Sequence, residues 1–227
     1  MPPVLDTHFD ALVFDCDGVI LDSASLKRSA FADFYRDEPE PLRSAILAYL
    51  ARGGGQPRDV KFHHIEAHIL GRPISDSRIR WLSAQFAERV EARVAKAPTI
   101  PGAIEFLKHW RGHKPLYLLS ATPQEELHRI ARQRGLSALF DEVIGAPPDK
   151  ANGLLNLITR HGHTAERTVM IGDSYNDYRA ARSNSTRFIG VLPNDTMHSP
   201  FPDNTLSVPD LFGLEEALGQ LVRRHKI

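Results

Sequence analysis

Residues 14–23 read FDCDGVILDS, with three carboxylates (Asp15, Asp17 and Asp22) within eight positions, directly after the apolar run ALVF at 11–14. Successive side chains of a strand point to opposite faces, so Asp15 and Asp17 fall on one side and Cys16 on the other. Two carboxylates so placed repel each other unless a cation sits between them or one carries a proton. Gly18 then permits a sharp turn. A strand that ends this way suits Mg²⁺, which takes one or two carboxylates together with water and phosphate oxygens. A lone DxD is equally compatible with solvated aspartates in a loop, so the remaining strand ends have to decide.

Four further β-rich runs end abruptly in small or polar residues: PLYLLS (115–120), EVIGA (142–146), TVMIGD (168–173) and RFIGV (187–191). Amphipathic stretches of helical length lie between them, at 123–134, 150–161 and 175–183. This alternation predicts an α/β fold, a doubly wound parallel sheet with helices on both faces. In such sheets ligands bind beyond the carboxyl ends of the strands. Residues 22–98 break the alternation. SLKRSAFADFYRD, LRSAILAYLAR, DVKFHHIEAHIL and SDSRIRWLSAQFAERVEARVAK all carry apolar residues at helical spacing. The expected organisation is an α/β core of residues 1–21 and 99–227, with 22–98 inserted after the first strand as a helical cap over the strand ends.

The chain has 227 residues, 42% hydrophobic and 25% charged, which is ordinary for a globular protein. Its 28 basic and 28 acidic side chains cancel, so no bulk charge attracts nucleic acid or an anionic membrane. Cys16 is the one cysteine, which rules out an intramolecular disulfide. The N-terminal MPPVLDTHFDALVFD has no basic segment followed by a long apolar one, and no apolar run approaches the roughly 18 residues of a membrane span. A soluble cytoplasmic protein is the expectation.

At the fourth strand end, GDSYND adds Asp173 and Asp177, which with the first pair would complete a divalent-metal site. Separately, Ser174 reads as a helix N-cap and Asp177 as a first-turn carboxylate facing the helix dipole. The second strand ends LLSATP, where Ser120 and Thr122 offer hydroxyls to an anion, or Thr122 caps a helix that has Pro123 at its first position. Lys150 follows the Pro-rich loop GAPPD, placed to neutralise a phosphoryl group and the aspartate pair, or to lie solvated at a helix start.

DCDGVILDS, LLSATP, Lys150 after GAPP and GDSYND together resemble, in order and spacing, the haloacid dehalogenase (HAD) superfamily. The helical insertion resembles its first type of cap, as in phosphoglycolate phosphatases and β-phosphoglucomutases. The resemblance implies a Rossmann-like core and a Mg²⁺-dependent phosphatase acting on a small phosphorylated metabolite, with neither nucleic acid nor membrane as partner. Under it, Asp15 is the nucleophile that forms an aspartyl-phosphate, and Asp17 the acid and then the base. Mg²⁺ is held by the Asp15 carboxylate, the Asp17 backbone carbonyl and Asp173. Ser120 binds the phosphoryl group, Lys150 offsets its charge, and Asp177 and Thr122 support them. An acidic residue two after the nucleophile separates phosphatases and phosphomutases from the dehalogenases of the same superfamily.

A sugar phosphomutase of the β-phosphoglucomutase type is the alternative. GGGQPRD keeps the Gly–x–x–Arg spacing of that cap loop, Gly55 to Arg58, but Pro57 stands where a hydroxyl residue is usual. Arg58 and Lys61 are the cap's candidates for contacting an anionic substrate, or else solvated charges at a helix start. A receiver domain would share the acidic cluster and lysine but not the long helical insertion. Cys16 has no arginine six residues on, since Asp22 stands there, and reads as a small apolar side chain. His64 and His68 share a helix face at metal-binding spacing, without an HExxH pattern.

Overall fold

The computed structural model describes residues 8–194 and 198–224. Its sheet has six parallel strands in the order β3-β2-β1-β4-β5-β6. They are β1 (Ala11–Phe14), β2 (Leu116–Pro123), β3 (Glu142–Ala146), β4 (Thr168–Gly172), β5 (Arg187–Val191) and β6 (Ser207–Val208). The chain runs outward from β1 to β3, then returns to the far side of β1 for β4. The reversal of strand order therefore lies between β1 and β4, where open sheets hold their ligands. Phe14 is paired with both Leu118 and Ile171, so Asp15 leaves β1 level with the end of β4, and its N–H donates to the Ile171 carbonyl at 2.9 Å.

Side-chain alternation sorts the strands into two buried faces. Leu12, Phe14, Leu118, Val169 and Ile171 pack with α5 (Ala103–Trp110), α6 (Gln124–Gln133) and α9 (Leu214–Arg224). Ala11, Val13, Tyr117, Leu119 and Met170 pack with α7 (Lys150–His161) and α8 (Tyr175–Ser183). Burial on both faces is why these strands are nearly continuous apolar runs. Cys16 is buried in the first of the two clusters, as a small apolar side chain.

Between β1 and α5 lie α1 (Ala24–Phe34), α2 (Glu40–Arg52), α3 (Arg58–His64), which runs on into a π-turn at Ile65–Ile69, and α4 (Asp76–Val94). Phe31 joins three of these helices, its ring centroid 4.2 Å from Phe86 and 4.9 Å from Phe62. These rings belong to the same apolar cluster as Phe14 and Phe106 of the sheet side. The helical segment leaves and returns through adjacent chain crossings. Leu21 forms an antiparallel bridge with Thr99, and the Asp22 N–H donates to the Pro98 carbonyl at 2.8 Å.

One local expectation is corrected. Thr122 does not cap α6: β2 runs on to Pro123, which takes the N-cap position without a side-chain hydrogen bond, and the helix begins at Gln124. Thr122's hydroxyl is engaged elsewhere, as described below. No helix among the described residues is long and apolar enough to cross a membrane.

Candidate active site

Four elements bring the charged residues together. Asp15 is carried past the end of β1, Asp173 past the end of β4, Lys150 opens α7, and Asp177 sits in the first turn of α8. Lys150 Nζ lies 2.9 Å from Asp15 Oδ1 and also pairs with Asp177, and all three side chains are buried. Asp177 is fixed in turn by Ser174, whose N–H and hydroxyl donate to Asp177 Oδ2 at 3.0 and 2.6 Å. Ser174 and Asp177 form the capping box of α8, so the helix-start reading and the ion-pair reading of this stretch both hold. Burial, opposed by the two carboxylates it pairs with, leaves Lys150 held well above the ordinary lysine range.

The aspartate pair of the first strand is separated by charge. Asp17 has a cation of its own, Lys27 of α1, whose Nζ is 2.5 Å from Oδ2, while Ser23 donates to Oδ1 at 2.6 Å. Burial pushes the Asp17 carboxyl up, but Lys27 and the Ser23 hydroxyl outweigh it and hold the group below its usual range. Thr122 links this pair to β2: its hydroxyl accepts from Lys27 at 2.7 Å and from Ser120 at 3.1 Å, and donates to Asp17 at 3.3 Å. Asp15 is in the opposite condition. Burial, together with Asp177 and Asp17, pushes its carboxyl up to about 7 against the pull of Lys150.

Asp173 makes no hydrogen bond or ion pair with a described side chain, and burial, then Asp15 and Asp177, push it well above the carboxylate range. One carboxylate oxygen each from Asp15, Asp173 and Asp177 lie within 4.8 Å of one another. Four carboxylates therefore meet two lysines, and the unpaired one borders the others. Such a hard, oxygen-only, negatively charged donor set fits a divalent cation such as Mg²⁺. Gly18 is part of the fit. It has φ +84°, and a Cβ there would run into the Asp173 carboxylate.

These groups line a cavity of about 100 Å³ whose other wall comes from the helical segment, with Arg28, Arg58 and Lys61 among its lining residues. Arg58 and Lys61 are not equivalent. Arg58 is buried and paired with Glu126 of α6 at 2.6 Å, donates to the Ser83 carbonyl at 3.2 Å, and lies 5.1 Å from the Phe86 ring centroid. Lys61 has no ion pair with a described residue, and its Nζ stands 5.2 Å from the Phe31 ring centroid. Lys27, Ser23 and Glu126 escape a reading of the sequence. Lys27 and Ser23 look like ordinary residues at a helix start, and only the fold shows that α1 points back at β1.

Comparison with known proteins gives the family. The haloacid dehalogenase-like hydrolase family model matches residues 9–184. Probable phosphatase IndB of Dickeya dadantii (strain 3937) is 31% identical over 197 residues, covering 79% of this chain and 80% of that one. Phosphoglycolate phosphatase of Aliivibrio fischeri (strain ATCC 700601 / ES114) is 28% identical over 191 residues, covering 76% and 79%. Among solved structures, a HAD hydrolase of family IA, variant 3, from Entamoeba histolytica HM-1:IMSS superposes with a TM-score of 0.75 at 15% identity, covering 94% of this chain and 99% of that one. The chain belongs to the haloacid dehalogenase-like hydrolase family.

Proposed function

We propose that this HAD-like hydrolase is a Mg²⁺-dependent phosphatase that cleaves a small phosphorylated metabolite through an aspartyl-phosphate on Asp15, with residues 22–98 acting as its cap. The observation that carries the reading is the buried contact of Lys150 with Asp15 and Asp177 beside the unpaired Asp173. The buried Lys150 ammonium opposes the burial that raises the Asp15 carboxyl, favours its ionised form, and leaves positive charge facing the incoming phosphoryl oxygens.

Asp15, Asp173 and the backbone carbonyl of Asp17 would hold the metal. When bound, it supplies charge that offsets the phosphoryl oxygens. Asp15 attacks phosphorus as the bond to the leaving alcohol breaks, and Asp17 gives that alcohol its proton. Asp17 then takes a proton from the water that cleaves the phosphoryl group from Asp15, releasing phosphate. Ser120 donates its hydroxyl to the phosphoryl group, with Thr122 holding Ser120 and Asp17 in register. Lys27 and Ser23 favour the ionised Asp17, which the second step uses directly, whereas the first step requires Asp17 to take up a proton against that bias. Phosphoryl transfer depends mainly on positioning and charge, which these contacts provide.

A phosphatase is favoured over a phosphomutase because Pro57 supplies no side-chain group to the cavity loop and serves only as the N-cap position of α3. The test is hydrolysis of p-nitrophenyl phosphate with and without Mg²⁺, by the wild type and by Asp15→Asn. Mg²⁺-dependent release of phosphate that is lost in the variant supports the reading. No turnover of this ester or of a broad panel of phosphate monoesters contradicts it.

A further inference from the structure

His63, His64 and His68 line an open groove with Asp59, Asp76 and Arg80, and none of these residues lines the cavity of the strand-end aspartates. The winding of the helix brings the three rings together. α3 ends at His64 and runs into the π-turn Ile65–Ile69, which the Leu70 N–H closes by donating to the Ile65 carbonyl at 2.9 Å. Helical residues four apart are neighbours on one face, and the wider turn adds the residue five apart. His68 therefore meets both of the others. Its ring centroid is 5.1 Å from that of His64 and 6.0 Å from that of His63.

Two imidazoles that share one tetrahedral ion, each through a metal–nitrogen bond of about 2.0–2.1 Å, have ring centroids about 5 Å apart. His64 and His68 already stand at that separation. Tyr49 steadies the His64 ring, stacking on it at 4.1 Å with 16° between the planes, and its hydroxyl donates to Gln56 at 3.1 Å. No hydrogen bond from a described residue occupies a ring nitrogen of the three histidines. Partial burial, then His68 and His63, hold His64 below the usual histidine range, which favours the neutral form that ligates metal. The other histidine cluster is committed within the protein. His161 Nε2 pairs with Glu142 at 2.8 Å, and His163 Nε2 is hydrogen-bonded with the Tyr117 hydroxyl at 2.8 Å.

We propose that His64 and His68 chelate a transition-metal ion of the Zn²⁺ class, with the exposed His63 turning in as a third nitrogen ligand, at a site separate from the aspartate cluster. The donor sets divide the metals between the two places. Imidazole nitrogen suits Zn²⁺, Ni²⁺ and Cu²⁺, whereas Mg²⁺ takes oxygen. The bound ion clamps the end of α3 to the π-turn that follows it, and water completes its coordination.

The test is calorimetric titration of the full, untagged chain with Zn²⁺ in excess Mg²⁺, which keeps the aspartate cluster occupied. The wild type is expected to bind Zn²⁺ in a single saturable step, and its Tm to rise with Zn²⁺ concentration. His64→Gln and His68→Gln each weaken that step about tenfold or more, since loss of even an outer partner of a metal ligand costs about 10–100-fold. Asp173→Asn and His161→Gln leave it intact. With Cu²⁺ as probe, electron paramagnetic resonance should show imidazole nitrogen coupling that diminishes in His68→Gln. Circular dichroism checks the fold of each variant. Should His64→Gln fail to fold, the exposed His68 decides alone. The absence of a saturable Zn²⁺ step overturns the inference, as does a step that the folded histidine variants retain or one lost in Asp173→Asn or His161→Gln. So does a Cu²⁺ spectrum with no nitrogen coupling, or with coupling unchanged in His68→Gln.

Discussion

Removing Glu126 tests the buried tie between α3 and α6. Its side chain and that of Arg58 are 4% and 7% exposed and lie 2.6 Å apart, so Glu126→Leu leaves a guanidinium buried without its counter-ion. Breaking one side of such a pair costs about 3–5 kcal/mol. Arg58 keeps the Ser83 carbonyl and the Phe86 ring, which places the expected loss at the lower end, about 3 kcal/mol. For a chain of this length that corresponds to a drop in Tm of roughly 6–12 °C. Arg58→Met with Glu126→Leu replaces both charges by apolar groups of similar size and should recover most of the loss. Thermal unfolding followed by circular dichroism, with urea titration as a check on the transition, measures all three proteins. A single-variant loss under about 1 kcal/mol refutes the buried-pair account. So does a double variant no more stable than Glu126→Leu.

Lys150→Met should reduce phosphate release on the order of 10³-fold, because it removes the positive charge that faces Asp15 and leaves Asp15 and Asp177 buried together; steady-state kinetics on p-nitrophenyl phosphate read this. Gly18→Ala should abolish measurable turnover and lower Tm, since the +84° φ disfavours any side chain and the new Cβ meets Asp173.

Much of this site was legible in the sequence because its chemistry lies at strand ends. The apolar runs of β1, β2 and β4 are buried on both faces and give way to Asp15, Ser120 and Asp173. β6 escaped because two residues, Ser207 and Val208, show no periodicity. α5 and α9 contribute apolar faces to the first cluster, but neither lies in the strand–helix alternation that marks β2 to β5 in the sequence. The cation beside Asp17 was not legible either. Nothing local marks Lys27 as different from any lysine in the first turn of a helix, and its role comes from the direction in which α1 leaves the hinge at Leu21 and Asp22. Glu126 looked like a first-turn carboxylate of α6, which it is, but it is buried because Arg58 arrives from 68 residues away in the chain.

The central claim is that Asp15 carries the phosphoryl group. It is tested most directly by acid-quenching the protein during turnover of a phosphate monoester in Mg²⁺ and mapping the modified peptide by mass spectrometry. The account predicts an acid-stable, alkali-labile phosphoryl adduct on Asp15 that is absent from Asp15→Asn. Turnover with the phosphoryl group on another residue, or an Asp15→Asn protein that hydrolyses the ester as fast as the wild type, would contradict it.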